Sequence, residues 1–122
     1  DRTAASWYNV KYEPIALEDR FKGEMNILLF GDYEFQCIHT PGHTPGSISI
    51  LIEIDSKKIL FGQDIHGPFM SSFDSNLKDY QKSMLKLLAL NADILCEGHF
   101  GIFEPNYKVT QYIKNYMRQN MP

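Results

Sequence analysis

Cysteine is sparse. Cys37 and Cys96 are the only two, and they share no CxxC spacing, which argues against a zinc ribbon or a redox dithiol. Both fall in apolar runs and are expected to be buried, reduced thiols. No apolar run approaches the roughly eighteen residues that would suggest a membrane span, so no membrane association is expected. Basic residues are not in excess: 12 Lys and Arg against 15 Asp and Glu leave a formal charge of -3. Without a general positive field, nucleic acid is not favoured as a partner. No repeat, low-complexity stretch or signal-peptide pattern is visible, and a cytoplasmic location is expected. Histidine is limited to His39, His43, His66 and His99.

What remains is the composition of an ordinary globular protein, 43% hydrophobic and 22% charged over 122 residues, enough for one domain with a modest core. Residues 1–24 have no sustained period, and Pro14 and Gly23 interrupt them, so they read as a surface segment with room for one short strand. Met25–Phe30 and Tyr33–His39 flank Gly31-Asp32, a hairpin pattern. Ser47–Ile54 alternates, with Ile48, Ile50, Ile52 and Ile54 on one face and Ser47, Ser49, Leu51 and Glu53 on the other, so one face is core. A turn at Asp55-Ser56-Lys57 leads into a strand over Lys58–Phe61 and then into Gly62-Gln63-Asp64. Asp74 or Ser75 can cap a helix running to about Leu90 through Leu77, Tyr80, Met84, Leu87 and Leu88. Ala92–Cys96 reads as a strand and leads to a loop with His99. Val109, Tyr112, Ile113, Tyr116 and Met117 mark a final amphipathic helix, in which Tyr107, Tyr112 and Tyr116 are packing and surface residues. The order is ββ, ββ, α, β, α.

Within this plan His43, Asp64 and His99 each follow a strand in a glycine-bearing loop. Strand ends on a common sheet edge can aim side chains at one point. Two imidazoles and a carboxylate suit zinc, and also iron or manganese. Individually, each also fits a plain loop or capping residue. Pro41-Gly42 and Pro45-Gly46 supply the fixed and permissive dihedrals of a tight ligand loop.

The stretches TPGHTPGSISI, LFGQD and CEGHFG resemble the three C-terminal metal motifs of the metallo-β-lactamase superfamily, in the style of its glyoxalase II-like hydrolases. The resemblance covers about residues 25–119. It implies that His43 binds one metal, that Asp64 bridges two, and that His99 binds the second. It also implies two divalent ions, zinc first, that acidify a shared water for attack on a small-molecule ester, thioester or lactone. His39, one strand end before the ligand, is expected to be structural rather than ligating. His66, just past Asp64, is either a polar loop residue or a substrate contact or proton shuttle.

One departure is large. The H-x-H-x-D-H loop of the family's N-terminal half is absent, so each ion would have only two protein ligands here, against the three plus water of a catalytic zinc. The implied fold is likewise partial. It is α/β (α+β), the C-terminal half of an αββα sandwich, with a mostly antiparallel sheet and two flanking helices in one partial domain over residues 1–122. The expectation is a C-terminal part of a longer hydrolase, with the isolated chain inactive. A half-sandwich would expose the inner face of its sheet, so the chain is expected to pair with a missing N-terminal half or a second copy. The competing expectation is a catalytically silent module that does only this.

Overall fold

The computed structural model describes residues 4–122; the first three residues of the N-terminal surface segment lie outside the described residues, and the rest of it holds a 3-10 turn at Ala5–Tyr8 where a short strand was expected. A six-stranded sheet runs in chain order: β1 (Met25–Phe30), β2 (Tyr33–His39), β3 (Ile48–Ile54), β4 (Lys57–Phe61), β5 (Ile94–Cys96) and β6 (Ile102–Phe103). Every pairing is antiparallel except β4 with β5. That parallel pair requires a crossover, and helix α1 (Leu77–Ala89) provides it. Helix α2 (Asn106–Gln119) closes the chain. The sequence-based order therefore holds, with β6 as an addition: two residues carry too short a pattern to signal a strand, and pairing of Cys96 with Ile102 and of Leu95 with Phe103 makes it one.

Local chemistry sets the boundaries. The α1 cap is Asn76, not Asp74 or Ser75; its side chain accepts from the backbone N–H of Lys78 and Asp79 at 3.0 and 3.1 Å, the bonds an N-cap supplies. Asp74 instead ends a short 3-10 turn in a left-handed conformation (φ 54°). The Ser75 hydroxyl donates to the carbonyl of His43 at 2.6 Å. The turn between β3 and β4 places both Asp55 (φ 49°) and Ser56 (φ 62°) at positive φ, as a two-residue hairpin link requires. The expected Ala92–Cys96 strand is shortened to Ile94–Cys96 because Asp93 sits at its mouth. There its N–H donates to Lys58 O and its carboxylate accepts from Lys58 N–H at 2.8 Å.

Both faces of the sheet are apolar. The helices pack on the face with Ile38, Leu51, Leu60 and Leu95, which join Tyr80, Met84 and Leu87 of α1 and Val109, Tyr112 and Ile113 of α2 in one core. Ile48, Ile50, Ile52 and Ile54 alternate onto the opposite face; Ile52 is buried and the other three are half-buried. The helix-packed core is therefore on the Leu51 side, and period-two alternation alone could not tell the two faces apart. At the sheet's edge, β1 exposes Met25, Ile27, Leu28, Leu29 and Phe30, with Phe30 75% exposed. Cys37 is buried, whereas Cys96 is half-buried, and both are free. Burial pushes both thiols above their usual pKa, so neither is a ready nucleophile.

Candidate metal centre

Three loops converge at one edge of the sheet. The first joins β2 to β3 and contains HTPGHTPG. Thr40 N–H donates to Ser47 O at 2.9 Å, Thr44 N–H donates to the Ser47 hydroxyl at 3.2 Å, and Ser83 of α1 donates to Pro41 O at 2.7 Å. Gly42 adopts φ +154° and lies against the backbone of Tyr80, so the loop is pinned onto α1. Gly46 has no positive φ and nothing near the position a Cβ would take; of the two Pro-Gly pairs, only the first needs its glycine. The second loop follows β4 and is tied to the third by Gly62 N–H donating to Cys96 O at 3.0 Å. Asp64 sits there at φ 47°. The third loop follows β5 and holds His99.

The three residues expected from the motifs come together through the carboxylate of Asp64. Its Oδ2 lies 3.6 Å from His43 Nε2, and its Oδ1 lies 2.7 Å from His99 Nε2. The side chains are 12% exposed for His43, 26% for Asp64 and 62% for His99, so the cluster is rooted in the protein but open at one side. Zinc–nitrogen and zinc–oxygen bonds of about 2.0–2.1 Å place tetrahedral donors roughly 3.3–3.4 Å apart, a spacing these pairs bracket. His43 Nδ1 lies 2.7 Å from the carbonyl of Pro68. A carbonyl only accepts, so Nδ1–H donates to Pro68 and Nε2 is the ring atom turned towards Asp64. The donor types and the orientation of His43 therefore suit a divalent cation.

Sequence reasoning assigned no role to Glu97. It is fully buried, and its Oε1 is 2.6 Å from His66 Nδ1. Its Oε2 accepts from the backbone N–H of His99 and of Phe100, each at 2.9 Å. Burial pushes this carboxyl's pKa up, but the bonds from Phe100, His66 and His99 outweigh burial and hold it below the usual carboxylate value. A glutamate two positions before a histidine in a glycine loop was the available signal. His66 lies beside the cluster: Asp64, His66 and His99 each offer a ligand atom, all within 4.8 Å of one another. His39 is occupied elsewhere, its Nε2–H donating to Pro45 O at 2.8 Å across the base of the loop. His39→Ala is therefore expected to leave metal content unchanged and to cost about 1 kcal/mol of stability, read by metal analysis and urea denaturation. Tyr112 is packed against Phe103 and Tyr116, with ring centroids 4.4 and 4.8 Å apart, whereas Tyr107 is exposed.

No family model matches the chain. Over 92 residues it is 34% identical to hydroxyacylglutathione hydrolase GloC of Haemophilus influenzae, an alignment that takes in 71% of this chain and 43% of that protein. It shares its fold with a class B3 di-zinc metallo-β-lactamase, LRA-12, from an Alaskan soil metagenome: the TM-score is 0.62 at 19% identity, over 91% of this chain and 50% of that one. A metallo-β-lactamase of Staphylococcus aureus matches with a TM-score of 0.59 at 18% identity, over 98% of this chain and 46% of that one. The chain has the metallo-β-lactamase fold. It spans less than half the length of the curated relative from Haemophilus. Like the superfamily fold, it is mixed α/β, with a six-stranded sheet and two helices. Among the described residues no helix is long and apolar enough to cross a membrane.

Proposed function

We propose that the complete protein is a metal-dependent hydrolase of a small-molecule ester, thioester or lactone, with His43, Asp64 and His99 of this chain holding two divalent ions. Zinc is the first expectation, with iron or manganese as alternatives. The observation behind this reading is the carboxylate of Asp64, which turns one oxygen to His43 and the other to His99. This is the arrangement a bridging ligand needs. The name of the Haemophilus relative, a hydroxyacylglutathione hydrolase, favours the thioester class.

In this reading each residue has one task. His43 turns its Nε2 to the site, because Pro68 O accepts from Nδ1–H. Asp64 supplies negative charge between the two imidazoles, and the Gly62–Cys96 backbone bond keeps its loop in register with that of His99. Divalent ions bound there would polarise a substrate carbonyl and acidify water towards neutral pH. The open side at His99 is where a substrate would approach.

The test uses the full-length protein, with metal analysis and turnover on a panel of simple thioesters, esters and lactones. Two equivalents of metal per chain and turnover abolished by chelation are expected. Neither stoichiometric metal nor turnover would leave the second reading, a silent module that pairs through its sheet. The exposed apolar strand β1 favours that alternative.

A further inference from the structure

We infer that His66 is an additional metal ligand, held in place by the buried carboxylate of Glu97, so that this chain alone supplies three donors to the ion shared by Asp64 and His99. The inference rests on the hydrolase reading above and adds a ligand that the three motifs do not assign.

The argument begins with Glu97. A fully buried carboxylate is costly unless its charge is compensated and its oxygens are bonded. Both oxygens of Glu97 are engaged: Oε2 takes two backbone N–H groups of the His99 loop, and Oε1 takes His66 Nδ1 at 2.6 Å. The carboxylate is thus anchored to the loop that carries His99 and reaches across to orient His66. An ionised carboxylate accepts only, so it fixes the imidazole proton on Nδ1 and leaves Nε2 as a lone-pair donor. A carboxylate bonded to the far nitrogen of an imidazole is the usual support of a ligating histidine.

The ring of His66 is also confined. It meets His99 edge-on with centroids 5.0 Å apart and Phe100 at 4.8 Å, and its side chain is only 15% exposed. A residue kept free to contact varied substrates or to shuttle protons gains little from such confinement. A ligand gains from it, because immobilising the donor in advance removes ordering cost at binding. With His66 the count at this ion rises from two protein ligands to three. That is the number a catalytic zinc keeps while leaving a position open.

The experiment is Co(II) substitution of the full-length protein, with affinity read by competition against a chromophoric chelator and coordination read by absorption spectroscopy. Four variants are compared with wild type: His66→Ala, His66→Cys, Glu97→Gln and His99→Ala. His66→Ala is expected to weaken Co(II) binding by at least about tenfold and Glu97→Gln by about tenfold. His66→Cys should add a thiolate-to-cobalt charge-transfer band that wild type lacks. The cysteine variant keeps the test decisive if Glu97→Gln fails to fold. Loss of binding in His99→Ala, with His66→Ala unchanged and no new band in His66→Cys, would overturn the inference and leave the hydrolase reading standing. Wild type that takes up no Co(II) or zinc would overturn both.

Discussion

Asp64→Asn in the full-length protein is expected to lower kcat/KM on the order of a thousandfold, the scale of removing a preorganised charge-stabilising group, with loss of at least one metal equivalent. The reason lies in the double contact of one carboxylate with His43 and His99. An amide keeps the size of the side chain but removes its charge and turns one acceptor into a donor. Divalent ions bound at the proposed site would then lose the anion between them. The side chain is 26% exposed and outside the hydrophobic core, so the fold should survive; unchanged circular dichroism beside lost metal and lost turnover is the expected pattern. Retention of both metal and rate would remove Asp64 from the site.

Gly42→Ala is expected to cost about 3 kcal/mol or more, the sum of a strained backbone and an overpacked contact. A Cβ at Gly42 would fall 2.6 Å from both Cα and Cβ of Tyr80, and the residue has φ +154°. Tyr80 cannot yield. It is buried in the core at 1% exposure, its hydroxyl donates to Ile65 O at 2.7 Å, and its N–H bonds Asn76 O in the first turn of α1. Urea denaturation should show the midpoint falling by about 1 M or more. Gly46→Ala, four residues on in the same motif, should stay within about 0.5 kcal/mol, as an unencumbered surface change does. Equal losses at the two glycines would contradict the packing account.

The large elements could be read in advance because their signals are local. The two hairpins, the α1 stripe and the α2 stripe follow from alternation, from turn residues and from helical spacing. Errors arose where several local options competed. Asp74, Ser75 and Asn76 are all good caps, and the choice of Asn76 depends on Ser75 being drawn to His43 O and Asp74 to the end of a 3-10 turn. The alternation in β3 was correct, but which side would meet the helices depends on pairing with Leu60 and Gln36. Strand β6 exists only because Cys96 and Leu95 lie opposite it.

The same division applies to the site. From the chain alone came three strand-end ligand types, a resemblance that singles out His43, Asp64 and His99, and the separation of His43 from His39. These depend on residue identity and on neighbours a few positions away. Tertiary structure alone brought His66 and Glu97 together across thirty residues of chain, turned the Nε2 of His43 towards Asp64 through a carbonyl at Pro68, and made Gly42 indispensable by laying it on Tyr80. Contacts of this kind join residues distant in sequence and often involve backbone atoms, which carry no mark of residue type. A periodic or motif reading has no means of seeing them.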